Sequence, residues 1–361
     1  FYFTNRGAMN TISSKDIIYL IMTDRFACAE GNYSQVDVNR CNPNYWHGGN
    51  IKGIIEHLDY IVDLGVTTIW LTPILKNDNP IENGKYTSYH GYGVTDFLSV
   101  DPHFGTLNDY IELVNTAHEK GLKVVMDFVV NHCGINHPWL KDESKKDWIN
   151  NIKDTEGNPI LSNKNTTTIL GEYVSDYDKN QTIKGWFTTK MPDINLTNIN
   201  VKNYFIDAIC WWIENTKIDA IRMDTYQYSD TNAMQDIQNA IQLRYPGFTV
   251  IAETWVPNPA YTSKIQKECT IKGTNDLVVM DFAFQKAIDF AFSNKKEAEY
   301  SLYNHFLYDY LYDNPKQTLA FLDNHDIGRW FFYHNNVEVS KQAMAILLTV
   351  PRIPQILYGT E

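Results

Sequence analysis

Four apolar segments of this chain run into residues that can attack carbon or move protons. Leu122–Val130 holds Asp127 and leads into Asn131 and His132, and Ile218–Asp224 closes on Arg222-Met223-Asp224. Thr249–Glu253 ends in Glu253 ahead of Thr254-Trp255, and Thr318–Leu322 leads into Asp323-Asn324-His325-Asp326. One acidic residue after a strand is as readily a helix cap as a catalyst. Four strand ends of this kind make capping alone a poor account. Residues two apart on a strand share a face, so Arg222 stands beside Asp224. A neighbouring guanidinium favours the ionised carboxylate that a nucleophile requires, although a structural ion pair at this position is the competing reading. Glu253, crowded by other carboxylates, is expected to keep its proton and act as an acid. Two carboxyl groups differentiated in this way suit retaining cleavage of a glycosidic bond. One attacks the anomeric carbon while the other protonates the leaving oxygen, the pair standing ~5–5.5 Å apart.

The elements that must bring these residues together follow from the apolar pattern. Eight short runs recur: Ile17–Met22, Val66–Leu71, Leu122–Val130, Ile218–Asp224, Thr249–Glu253, Leu277–Phe282, Thr318–Leu322 and Pro354–Tyr358. Near-continuous apolar runs are the mark of parallel strands covered on both faces. Between them, stretches such as Ile51–Leu64 and Tyr110–Lys120 have helical spacing and stop at Gly65 and Gly121, the glycine expected just past a helix end. The alternation predicts an α/β fold, a (β/α)₈ TIM barrel, whose strand C-termini share one rim where a site is built. An open doubly wound sheet competes, but no strand is followed by a glycine-rich phosphate-binding turn. The rhythm breaks after the third strand. The expected division is a barrel over 1–130 and 218–361, a small inserted domain over 131–200 and a barrel helix over 201–217. The eighth strand has no helix after it, so the barrel is expected to lack its final helix here and the natural chain to extend past Phe1 and Glu361.

A net charge of −12 would repel phosphates, so no nucleic-acid partner is expected and a neutral substrate suits the surface. No apolar run reaches the ~18 residues of a membrane span. Phe1–Arg6 has neither the charged nor the apolar part of a secretion signal. The five cysteines show no zinc spacing; Cys210, beside Trp211 and Trp212, reads as core, and Cys28 and Cys41 bracket a polar loop as two thiols or as a disulfide of an exported chain. Export, periplasmic or extracellular, is favoured over the cytoplasm.

Asp127–His132, Ile218–Asp224, Ile251–Trp255 and Phe321–Asp326 resemble, in order and spacing, the four sequence regions of the α-amylase family, glycoside hydrolase family 13. Tyr89-His90-Gly91-Tyr92 resembles the motif after that family's second strand, and Met191-Pro192-Asp193-Ile194-Asn195 its fifth region. The resemblance runs from Ile17 to Glu361 and implies a role for each matching residue. Asp224 is the nucleophile, Glu253 the acid/base and Asp326 the third carboxylate, holding sugar hydroxyls. Arg222 orients Asp224, with Asp127 as its structural partner. His132, His90 and His325 bond the sugar, and Tyr92 stacks under its ring, outside the core. Asn131 matches a calcium ligand, for which Glu172, Asp176 and Asp178 are available oxygen donors; a solvated acidic loop is the alternative. No organic cofactor is implied. The Asp24–Asp37 loop, where some relatives bind another calcium, lacks the dense Asp/Asn run.

The resemblance implies a starch-derived oligosaccharide or polysaccharide as substrate, cyclodextrins and pullulan included, cleaved at α-1,4 and also α-1,6 bonds. Where many amylases have Lys-His after the nucleophile, this chain has Gln227-Tyr228. Arg222–Tyr226 and Met191–Asn195 look closer to the neopullulanase and cyclomaltodextrinase group, as does Phe1–Arg6. A transglycosylase or trehalose-forming isomerase would use the same carboxylates. A non-catalytic sugar-binding protein on the same barrel is disfavoured, because all three carboxylates are kept.

Overall fold

The strands, in chain order, are β1 (Ile18–Ile21), β2 (Thr68–Leu71), β3 (Leu75–Asn77), β4 (Val94–Val100), β5 (Lys123–Val129), β6 (Ala220–Asp224), β7 (Thr249–Ala252), β8 (Leu277–Met280), β9 (Thr318–Phe321) and β10 (Ile353–Leu357). They come from a computed structural model that describes residues 11–31, 33–77, 86–162, 171, 173–270, 276–293 and 298–361. All eight expected strands form one closed barrel in the order β1-β10-β9-β8-β7-β6-β5-β2. Each neighbour is parallel, so every C-terminus reaches the same rim.

Period-two alternation sorts the strand residues into one inner core and two outer ones. Ile18, Leu20, Trp70, Val125, Ala220, Ile251, Val278 and Leu319 fill the barrel interior. Their strand neighbours Tyr19, Ile21, Ile69, Val124, Ile221 and Val250 belong to the cluster that packs on the surrounding helices. Asp127 is two residues on from Val125, Arg222 and Asp224 two and four on from Ala220, and Glu253 two on from Ile251. An apolar floor therefore carries a polar layer at the rim, on the same inward face. The register pairs Asp127 with Arg222 and Val129 with Asp224, which sets these side chains at neighbouring heights.

The helix Leu107–Glu119 starts on a Thr106–Asp109 capping box, and the helix ahead of β2 is Leu58–Asp63. Gly65 and Gly121 follow these two helices at φ +77° and +79°, the left-handed turn that lets each chain enter the next strand. One element was not anticipated: β3 and β4 form an antiparallel pair outside the barrel. The pair is short and three-residue β3 carries little alternation, so its pattern does not stand out from a loop.

After β5 the chain leaves the barrel. It makes two short turns at Pro138–Lys141 and Glu143–Lys145 and the helix Asp176–Lys184 before the long helix Ile199–Thr216. Bridges His132↔Asp193 and Ile149↔Ile194 fasten this excursion at the rim. Trp139 and Trp148 pack edge-on at 4.8 Å, and Trp139 continues into Tyr204 and Phe205 of the long helix. Cys28 and Cys41 are exposed free thiols, and Cys210 is buried as expected. Phe1–Arg6 and Glu172 lie outside the described residues. Among the described residues no helix is long and apolar enough to cross a membrane.

Candidate active site

Arg222 is fully buried, with 0% of its surface exposed, at the centre of the polar layer. Burying a guanidinium is tolerable only with partners, and three carboxyl groups supply them. Nη1 lies 3.0 Å from Asp127 Oδ1 and 2.7 Å from Asp224 Oδ1, and Nη2 lies 3.1 Å from Glu253 Oε1. Asp127 takes further bonds from Trp70 Nε1 at 3.1 Å and from the Tyr92 hydroxyl at 2.9 Å. The Arg222 guanidinium carbon sits 5.3 Å from the Trp70 ring centre. Asp127 is thus the support of Arg222, while the second oxygens of Asp224 and Glu253 are met by Thr225.

Above this layer is a cavity of about 250 Å³ lined by His90, Tyr92, His132, Asp224, Glu253, His325 and Asp326, together with Met22, Tyr89, Phe187, Met191, Thr225 and Trp255. Seven of the expected site residues therefore meet in one place. Asp326 owes its position to Asn324, whose Oδ1 accepts from the backbone N–H groups of Asp326 and Ile327 at 2.9 and 3.0 Å. Asp323, from the same strand end, serves structure: it accepts from the Trp330 N–H and from the Thr360 hydroxyl.

Burial drives the Glu253 carboxyl well above its ordinary range, Arg222 opposes it, and Asp224 and Asp326 add to it. Crowding by carboxylates, the cause anticipated from sequence, is the smaller part. Burial also lowers His132 and His325 and brings His90 down to about 4, with repulsion from His325 adding for His90. All three imidazoles are thereby favoured as neutral rings, able to donate at one nitrogen and accept at the other. His132 Nε2 and His325 Nδ1 are buried and make no hydrogen bond among the described residues, and His132 Nε2 lies 3.9 Å from Asp224 Oδ2.

Tyr92 differs from expectation. Its ring lines the cavity but is only 8% exposed and belongs to the main core cluster. It stacks on His325 at 5.4 Å, and its hydroxyl lies 2.5 Å from His325 Nε2. A side chain bonded to both Asp127 and His325 is part of the scaffold as well as of the wall, so the reading that kept it outside the core is corrected.

Sequence reasoning assigned no role to Phe187, Trp255 or Thr225. Phe187 stacks on His132 at 5.2 Å, and Trp255, 40% exposed, stacks on Phe282. Trp255 stands two residues past Glu253 and Thr225 directly after Asp224, so adjacency to the carboxylates was the available signal. Phe187 comes from the excursion, and nothing in its spacing points to the barrel rim.

Asn131 is placed apart from the cavity, with its Oδ1 accepting from Ser229 Oγ at 3.1 Å. Asp176 and Asp178 stand in the first turn of their helix, where Asp178 bonds Ser175; that is a capping arrangement. Among the described residues no three His, Cys, Asp or Glu side chains gather as a metal group. The carboxylate that shares the Asn131 junction is Asp193. The Ile194 N–H donates to the Asn131 carbonyl at 2.8 Å, and His132 bridges Asp193. Asp193 is 1% exposed, and Asn150 Nδ2 reaches it at 2.8 Å. A buried carboxyl group met by one amide, on a segment whose backbone is joined to that of Asn131, offers oxygen donors of the kind a hard cation takes.

The architecture and these residues have counterparts in known proteins. The α-amylase of Geobacillus thermoleovorans, solved with acarbose, is 36% identical and superposes with a TM-score of 0.79 over 96% of this chain and 71% of that one. An Anoxybacillus α-amylase is 34% identical with a TM-score of 0.82 over the same shares. The β/α-amylase of Paenibacillus polymyxa is 30% identical over 99% of this chain and 28% of its own length; for the cyclomaltodextrin glucanotransferase of Niallia circulans the figures are 29%, 99% and 50%. The chain therefore spans half or less of these two curated relatives. They do not single out the neopullulanase and cyclomaltodextrinase group. Residues 20–361 match the family described as alpha amylase, catalytic domain, and with the closed barrel and its buried Arg222 cluster this places the chain in the α-amylase family.

Proposed function

We propose that this chain is the catalytic part of a retaining enzyme that cleaves α-1,4-glucosidic bonds in starch-derived glucans, with α-1,6 bonds as a further target. The observation that carries this reading is the single guanidinium shared by Asp224 and Glu253. It holds two carboxyl groups side by side, as double displacement requires. Asp224, with Oδ1 tied to Arg222, attacks the anomeric carbon through Oδ2. Glu253 gives its proton to the leaving oxygen and then takes one from the incoming water. Asp326 and the neutral His90, His132 and His325 hold the hydroxyls of the sugar being cleaved.

Retention is the direct test. Proton NMR of fresh hydrolysate is expected to show the α-anomer first, with the β-anomer growing in only as mutarotation proceeds. A β-anomer at the outset would refute the double displacement. Glucosyl transfer to a second sugar uses the same intermediate, and Trp255 supports it by offering an incoming sugar an exposed ring beside Glu253.

We further propose that Asn131 and Asp193 hold a structural calcium ion, which would favour the ionised form of an Asp193 carboxyl that burial otherwise drives toward its neutral acid and pin the excursion to the rim. A saturating ligand adds about 2.7 kcal/mol at a hundredfold excess over its Kd. Millimolar calcium is thus expected to raise the thermal midpoint by several degrees over a chelated sample, and Asp193→Asn to abolish the difference. An unchanged midpoint in the parent chain would remove the ion from this account.

A further inference from the structure

Thr225 is held in the left-handed region, at φ 48° and ψ 34°. A β-branched side chain rarely adopts that conformation, and such strain persists only where the surroundings enforce it. The described residues include three other non-glycine positions of positive φ, Asp37, Lys217 and Asn335, and none of these lines the catalytic cavity. Thr225 is 3% exposed and does line it.

What the turn achieves appears in its two bonds. The Thr225 N–H donates to Glu253 Oε2 at 2.5 Å, and its hydroxyl donates to Asp224 Oδ2 at 3.2 Å. The opposite oxygens, Glu253 Oε1 and Asp224 Oδ1, are those taken by Arg222 at 3.1 and 2.7 Å. Each carboxyl group is thus contacted at both oxygens, by an ion pair with Arg222 and by a hydrogen bond from Thr225.

We propose that Thr225 is a positioning residue for both catalytic carboxyl groups, a role that rests on the assignment of Asp224 and Glu253 above. As Glu253 passes its proton to the glycosidic oxygen, negative charge grows on its carboxyl. A backbone N–H can only donate, so it meets that charge without reorienting. The hydroxyl fixes the rotation of the Asp224 carboxylate, so that the oxygen free of Arg222 keeps its aim at the anomeric carbon. The positive φ sets where the Thr225 side chain lies relative to its own N–H, and here one residue presents the N–H to Glu253 and the hydroxyl to Asp224, which gives the strained turn a purpose.

Three variants separate this role from packing. Thr225→Val keeps the branch and the volume but loses the hydroxyl. With maltotriose as substrate its kcat is expected to fall ~10–100-fold with KM within about twofold, because aim is lost and not binding. Thr225→Ser restores the hydroxyl and is expected to recover kcat to within about threefold of the parent. Thr225→Gly removes hydroxyl and strain together; its kcat is expected to fall as for Val while its thermal midpoint stays level or rises. Full kcat in Thr225→Val, equal losses in Val and Ser, or a loss confined to KM would each overturn the proposal. Asp224→Asn and Glu253→Gln are measured alongside. Retained turnover in those two would remove the assignments beneath it, whereas their loss with a fully active Thr225→Val would overturn the Thr225 role alone.

Discussion

Replacing Glu253 with Gln is expected to cut turnover on maltotriose by about 10³-fold, within the ~10²–10⁴ range that a positioned general acid supplies. The amide has nearly the same shape, and its oxygen can still accept the Thr225 N–H that now reaches Glu253 Oε2, although its NH2 then faces Arg222 Nη2 in place of Oε1. A thermal midpoint close to that of the parent is the check that the loss reports chemistry and not the fold. The control is α-glucosyl fluoride, whose leaving group needs no proton. Its first step, read as a burst of fluoride, is expected to be far less impaired than maltotriose cleavage. Equal losses on the two substrates would show that Glu253 does not protonate the leaving group.

Arg222→Met is expected to cost the most in stability. The parent arginine is fully buried against Asp127, Asp224 and Glu253, with Asp127 and Glu253 each about as hidden. Removing one partner of a buried ionic cluster leaves uncompensated charge and costs roughly 3–5 kcal/mol, out of a total of only about 5–15 kcal/mol. The loss depends on pH, and its sign follows from carboxyl groups raised in the folded state. Burial, against the pull of Arg222, already holds Asp127 up at about 7 and Glu253 well above its usual value. Without Arg222 both rise further. A carboxyl raised by folding binds more protons folded than unfolded, so its stability contribution is present at low pH and lost as pH climbs past the unfolded value. Urea unfolding should thus show a larger deficit for Arg222→Met at pH 8 than at pH 5. A deficit that is the same at both pH values would mean that this cluster is not held together by charge.

The barrel was legible because each strand is a short apolar run and the helices between them stop at glycine; the eight runs match the eight barrel strands with bounds shifted by a residue or two. The carboxylates were legible because parallel strands deliver their ends to one rim, which turns separation in sequence into proximity in space. Less legible was whatever depends on tertiary contact. Tyr92 looked like a free platform because its motif says nothing of the Asp127 and His325 that hold it. Asp193, passed over in favour of Asp176 and Asp178, is brought to Asn131 by a bridge across more than sixty residues of chain, which no local pattern encodes. The left-handed turn at Thr225 escaped notice for a related reason: threonine is among the last residues that local preference would place there.

The depth of the Arg222 cluster separates the chemistry from the surface. The chain carries a net charge of −12, yet the four residues of the cluster are each no more than 6% exposed. Mobile ions screen exposed charges over about 8–10 Å at ordinary ionic strength and act far less on buried pairs. A neutral glucan brings no charge of its own for the surface field to steer. On the proposed activity, turnover is expected to differ little between dilute buffer and sea water, and the exterior of the barrel is free to drift in charge without retuning the Arg222 cluster.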